Sequence, residues 1–489
     1  MIYLLIATQS SPLYPFNDWV DANYYFTMGK GVMHGLVPYQ DLFERKGPLL
    51  YFIYGLASLV SYRSFLGVFI LEVIAFSFFL FISFKILNLF VNRKLAATSL
   101  PLLAILILNL KAFAQGGSAE EFCLPLAAVS IYHLLRFLKS NDPSVLTRRT
   151  FFWNGVIAGC VLWVKFSMLG FWLGWIIALF VNLILQRRNR QAFFGVGVFL
   201  IGILAATVPW ILYFGINHAI PDWINTYFII NLTSYTEKLS FLARLGRILS
   251  NLATQFSNNP LFSSMLWLGL VAFIAFPKFI SQLGNRLLLL SSVILFIAGI
   301  YGGGRVFDYY YLIMAPFVML GFVVIFDASS MIKKQPLSEK LYFWMVISMV
   351  VVSIPLMYRF NQNSYMLHVS KEDLVQYKFA KIIDQSANKT LLNYGWLDMG
   401  FYTTTGTLPR VKYFASTNLD YSRYPLEINE QQRYIREGLV DFVVLMDYAS
   451  NPDPEKNLEL LNPHYQLVSK QIQTYETNPY VYLLFEKAR

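Results

Sequence analysis

Cysteine and charge are both scarce in this chain, and each scarcity closes off a class of protein. Of 489 residues only two are cysteine. Cys123 and Cys160 fall in apolar stretches, with no CxxC pair, no zinc spacing and no disulfide framework, so they read as small apolar side chains. Charged residues make up 14% of the chain, against about 25% in a soluble globular domain. No His pair has metal-ligand spacing, and there is no internal repeat or low-complexity tract. What is abundant is apolar: 56% of residues are hydrophobic and 17% aromatic. Lys and Arg number 39 against 28 acids, a formal charge of +11. The basic residues sit mainly in short loops between apolar segments, where they orient membrane helices, and form no patch for nucleic acid.

A helix needs around 20 apolar residues to cross about 30 Å of hydrocarbon. Ten stretches qualify as candidates: 65–90, 96–110, 122–138, 151–164, 169–186, 193–214, 261–276, 287–303, 308–326 and 341–358. If Arg93 and Lys94 are cytoplasmic, alternate connections add Lys139, Arg148, Arg149, Arg187, Arg188, Arg190, Lys278, Arg286, Lys333, Lys334 and Lys340 to that side. The opposite short connections carry single charges at Arg63, Lys111, Lys165 and Arg305. Such sorting places the opposite connections, the loop 215–260 and the C-terminal region outside. The apolar segment 47–61 would invert every later loop if it spanned, so it reads as interfacial. Within 215–260, apolar residues recur at helical spacing over 241–256 among Arg244 and Arg247, which suits a helix lying on the membrane or an ordinary loop helix. Residues 1–7 are too few for a span and lack the basic start of a signal peptide, as though a first helix were truncated or the start codon placed late.

After residue 358 the composition turns to that of a soluble domain. The pattern predicts helices over 371–385 and 428–438, strands over 390–394 and 441–446, and a closing hairpin of 465–474 and 480–486. The expected organisation is a transmembrane domain, 1–358, with a first external loop over 10–48, followed by a small extracytoplasmic α/β domain, 359–489.

Three external sites carry chemistry. Segment 15–48 holds Asp18, Asp21, Asp41, Glu44 and Lys46, acids costly so near a bilayer unless they cap short helices or serve function. In AQGGSAEEFCLPL, Ser118 is an N-cap candidate with Glu120 and Glu121 in the first turn. In YGGGRVFDYYYL, Arg305 could clamp a phosphate through its planar fork or snorkel at a membrane end, near Asp308 and Tyr309–Tyr311. Among other residues, Glu72 is an acid within an apolar run, serving function or pairing with a neighbouring helix. His34 and His133 read as loop and packing residues. The sequons at Asn231 and Asn388 read as chance.

The residues and order of these sites resemble the lipid-phosphosugar-dependent glycosyltransferases of the GT-C fold, the bacterial branch with a dolichyl-phosphate-mannose-type transferase domain. The matching stretch runs from Asp21 through Gly29, Gly35, Pro38, Tyr39, Asp41, Glu44 and Lys46 to Gly47 and Pro48. Glu120 or Glu121 corresponds to a second-loop acid, and Asp308 stands where His is common. The resemblance covers about 350 residues and is specific in the first forty or so. It implies a GT-C-like α-helical polytopic membrane protein of about ten or eleven transmembrane helices, in a bacterial plasma membrane with its active site outside. It implies a sugar transferred from a polyprenyl-phosphate donor to a glycan, lipid or polymer acceptor, with inversion. Asp21 would be the base, Glu120 and Glu121 further catalytic acids, and Lys46, Arg305, Glu44, Asp41 and Tyr39 would bind the donor. Mg or Mn among Asp21, Glu44 and Glu121 is compatible with such oxygen ligands but not demanded. A flippase for a lipid-linked glycan and a non-catalytic assembly subunit are the alternatives. Transporters place charged sites at the midplane within inverted repeats, and this chain gathers its acids in loops.

Overall fold

A computed structural model describes residues 1–330, 338–450, 458–461, 464–475 and 478–488; Lys333 and Lys334 lie outside them. The chain divides into two compact units. One comprises Met1–Thr8, Leu71–Ile211 and Glu237–Ser364, the other Gln9–Ile70, Leu212–Thr236 and Tyr365–Arg489.

Each of the ten apolar stretches falls on helix. Seven spans among the described residues are long and apolar enough to cross a membrane, and one of them, Arg148–Leu185, is a 38-residue helical run that joins two expected stretches. Two more stretches form the 16-residue helices Arg93–Leu108 and Pro260–Ala275. The protein is thus a polytopic α-helical membrane protein with a small sheet near its C-terminus. In the first unit, Pro260–Ala275 packs on Val318–Ser330 where Gly269 meets Gly321. A Cβ on Gly269 would lie 2.3 Å from the Gly321 nitrogen, so only glycine allows these backbones to touch, as membrane helix pairs often require.

In the second unit, the interfacial segment is the 13-residue helix Pro48–Val60. Its length of about 20 Å, at 1.5 Å per residue, is too short to span, and Phe52, Leu56, Leu59 and Val60 are left exposed. One expectation needs correcting: segment 15–48 is not a loop throughout, because Val20–Met33 forms a 14-residue helix. Residues 21–31 of that helix are all buried, so burial on every side erases the apolar period that would have revealed it.

The C-terminal elements follow the sequence pattern closely. Helices Val375–Ile383 and Leu426–Arg436 flank strands β1 (Leu391–Asn393), β2 (Phe442–Tyr448), β3 (Tyr465–Tyr475) and β4 (Asn478–Lys487). The order is β1-β2-β4-β3, with β1 parallel to β2 and the other pairs antiparallel. The core of this sheet includes Phe43 and Ile230, packed with Leu392, Tyr413, Val443 and Leu483. The segment bearing Glu44 and Lys46 therefore grows out of the core of the C-terminal sheet.

Candidate functional site

Asp21 occupies the first turn of Val20–Met33 and is 9% exposed, where the helix N-terminus favours a carboxylate. One turn later, Tyr25 donates its hydroxyl to Asp21 Oδ2 at 3.3 Å. The chain then reverses at Gly35, φ +84°, and at Tyr39, φ 71°. The turn is fixed from within: exposed Asp41 accepts from the Val37 nitrogen at 2.7 Å, and buried Tyr39 donates to the Lys46 carbonyl at 2.6 Å.

This reversal brings Glu44 and Lys46 back beside the helix. Glu44 Oε2 accepts from the Lys46 nitrogen at 2.6 Å and from the Tyr51 hydroxyl, and Oε1 lies 4.0 Å from Lys46 Nζ. The same ammonium sits 5.4 Å over the Tyr25 ring. Burial pulls the Lys46 ammonium down, and the carboxylates of Glu44 and Asp21 more than offset it, holding it above the usual lysine value. Asp21, Glu44 and Lys46 thus form one group with Tyr25 shared between acid and cation; Tyr39 supports it, and Asp41 faces away as a turn residue.

Sequence reasoning missed Tyr25, Tyr51 and Arg45. Arg45 is 7% exposed, its guanidinium 4.1 Å over Tyr235, with Nη1 donating to Asn231 Oδ1 at 3.2 Å. The Asn231 amide donates back to the Arg45 carbonyl at 2.8 Å, so that sequon is engaged inside the protein. Asp18, the other early acid, accepts from the Tyr365 hydroxyl at 2.8 Å.

The first unit holds the other expected residues. Ser118 caps its helix by accepting from the Glu121 nitrogen at 2.9 Å, and Glu121 Oε2 accepts from the Gly117 nitrogen at 2.8 Å. Glu120 pairs with Lys165, whose ammonium lies 3.5 Å over the Tyr310 ring. Both glutamates are 1% exposed, and Glu120 Oε2 and Glu121 Oε1 have no hydrogen-bond partner among the described residues. Buried carboxylate oxygens left open are costly and need a reason. Arg305 pairs with Glu237 at 3.6 Å, while Asp308 is held between Lys111 at 3.1 Å and the Gln255 amide at 2.7 Å. Glu72 accepts from the Thr8 hydroxyl at 3.0 Å, and His133 meets the Asn154 amide at 2.9 Å. Among the described residues, no three His, Cys, Asp or Glu side chains gather into a metal-holding group.

Residues 4–340 match the family described as "Putative competence-induced protein Ccs4 N-terminal domain". The chain belongs to this Ccs4 family. Its fold is that of GT-C proteins. ArnT from Cupriavidus metallidurans bound to undecaprenyl phosphate superposes with a TM-score of 0.61 at 14% identity, covering 99% of this chain and 96% of that one. ArnT in the apo state gives 0.61 at 12% identity, over 99% and 95%. AglB from Archaeoglobus fulgidus, in complex with an inhibitory peptide and a dolichol-phosphate, gives 0.47 at 13% identity, over 100% and 73%. No curated protein matches the chain.

Proposed function

We propose that the chain is a membrane glycosyltransferase that moves a sugar from a polyprenyl-phosphate donor to a cell-surface glycan, lipid or polymer on the extracytoplasmic face. The observation that carries this is a buried carboxylate, Asp21, sharing Tyr25 with a cation, Lys46. One-step glycosyl transfer needs such a pairing: a base for the acceptor and a positive charge for the leaving phosphate. The GT-C fold, seen in ArnT with undecaprenyl phosphate bound, suits a donor of that class.

In this reaction Asp21 takes the proton of an acceptor hydroxyl as its oxygen bonds to the anomeric carbon. The bond from that carbon to the phosphate oxygen breaks with its electron pair, and the polyprenyl phosphate leaves against the Lys46 ammonium. A single displacement inverts the anomeric centre. Tyr25 orients the base, and Glu44 holds Lys46 through both its backbone and its ammonium.

Asp21→Asn, assayed in membranes with a polyprenyl-phosphate sugar donor, should lower transfer by about 10²–10⁴-fold, the usual worth of a general base, with insertion and unfolding temperature unchanged. Retained transfer would remove Asp21 as the base. Chelation by EDTA checks for a divalent ion: transfer that is lost and then restored by Mg or Mn shows that a metal takes part, and an unchanged rate shows that none does.

A further inference from the structure

The first unit contains a cavity of about 530 Å³ whose lining includes Glu237, Arg247, Asn251, Thr254, Arg305 and Asp308. That volume lies within the range of about 300–1,000 Å³ typical of ligand sites. Its walls are set by the chain itself. The helix Phe241–Asn258 exposes Phe241, Leu242, Leu245 and Leu249 on one side. Its arginines turn to the glycine run instead: Arg244 donates to the Gly302 carbonyl and Arg247 to the Gly304 carbonyl at 2.9 Å. The Glu237 nitrogen closes the loop onto the Gly303 carbonyl at 2.9 Å.

The chemistry of the lining is specific. Arg247 and Arg305 both pair with Glu237, so with Asp308 the two cations face two acids and the lining is balanced in charge. A phosphate site would present a cation in excess. Here fixed donors and acceptors occur side by side, and a hydroxyl, being both at once, can use either. Asn251 is 5% exposed, and its side chain interacts with the Tyr301 hydroxyl behind it. Asn251 thus stands in the cavity wall as a buried amide backed by the Tyr301 hydroxyl. Phe307 also lines the cavity, an apolar ring for the C–H face of a pyranose.

We propose that this cavity is a saccharide subsite that binds a neutral sugar residue through its hydroxyl groups, Asn251 and the Arg–Glu pairs reading them. This assigns Arg305 to the sugar rather than to the phosphate. The inference rests on the glycosyltransferase reading only for which sugar, donor or acceptor, enters the cavity.

The test is saturation-transfer NMR on the full chain in detergent, with methyl glycosides of glucose, galactose and mannose at millimolar concentration and inorganic phosphate as competitor. The wild type should show transfer to at least one glycoside, unaffected by phosphate. Asn251→Leu should weaken it about tenfold, as loss of one buried hydrogen bond predicts, and the gentler Thr254→Val should weaken it without lowering the unfolding temperature. Asp21→Asn should leave it intact. Absence of transfer to every glycoside, a signal that ignores both cavity variants, or displacement by phosphate overturns the proposal. In turnover, a raised KM for the acceptor in Thr254→Val identifies the acceptor sugar as the occupant, and a raised KM for the donor identifies the donor sugar; an unchanged KM for both overturns it. If Asp21→Asn retains transfer while the glycoside still binds, the cavity stands and the catalytic reading falls.

Discussion

Two buried titratable groups in the second unit pull its stability in opposite directions with pH. Lys30, on the helix that carries Asp21, is fully buried; its ammonium donates to the Tyr402 carbonyl at 2.7 Å and lies 5.3 and 5.0 Å over the rings of Phe26 and Tyr62. Burial brings it from 10.5 down to about 7, against the pull of Asp398. Its native proton is held less tightly than in the unfolded chain, so its contribution to stability is present above about 10.5 and lost as pH falls through about 7. Glu427 runs the other way. Burial raises it from 4.5 to about 7 despite Arg45 and two hydrogen bonds from Thr417. Its contribution is complete below about 4.5 and lost as pH rises through about 7. The unfolding temperature in detergent should therefore dip near neutral pH. Lys30→Met should flatten the alkaline rise and Glu427→Gln the acidic one; a profile that neither variant changes would show that these groups keep ordinary values in the folded chain.

At the scale of elements, the group around Asp21 depends on two close fits. The first is between Val20–Met33 and Pro48–Val60, where a Cβ on Gly29 would stand 2.4 Å from the Gly55 nitrogen. Backbone cannot yield as a flexible side chain can, so Gly29→Ala should cost about 1–3 kcal/mol, read as a lower denaturant midpoint. The second is Phe43 in the core of the C-terminal sheet, 1% exposed, its nitrogen bonded to the Lys412 carbonyl at 3.0 Å. Tyr24 ties the same strand of chain by donating to the carbonyls of Phe43 at 2.9 Å and Ala415 at 3.0 Å. Phe43→Ala should cost about 3–5 kcal/mol and should disturb transfer as well, because Glu44 follows directly. These fits also mark what could be read from sequence. The helices beside the sheet were legible because one face is buried and the period survives, and β2 because it is a short apolar run, buried from Phe442 to Leu445. The helix Val20–Met33 was not, because it is buried all round. In the site, Asp21, Glu44 and Lys46 stood out as charges in an apolar chain, whereas Tyr25 and Tyr51 are two among 31 tyrosines and only their contacts distinguish them. Lys165 was visible, but as a marker of topology; its pairing with Glu120 belongs to the fold.

For the molecule as a whole, the distribution of basic residues makes a claim that the arrangement of helices alone does not. Lys and Arg collect on alternate connections, the pattern that membrane proteins in general use to keep such connections on the cytoplasmic side. The 16-residue helices Arg93–Leu108 and Pro260–Ala275 extend only about 24 Å at 1.5 Å per residue. That is short of about 30 Å of hydrocarbon, so to cross they need flanking residues to reach the interface, and Arg93 and Lys94 at the start of the first suit snorkelling toward a charged surface. Exposed Ser144 lies in a connection assigned to the inside, and exposed Ser422 in the C-terminal region assigned to the outside. In a Cys123→Ala, Cys160→Ala background, Ser422→Cys should react with a membrane-impermeant maleimide on intact cells, and Ser144→Cys only after permeabilisation. The reverse pattern would turn every connection over and place Asp21 and Lys46 in the cytoplasm. A donor sugar presented on the outer surface could not then reach them, so the labelling tests the proposed side of the reaction independently of any assay of transfer.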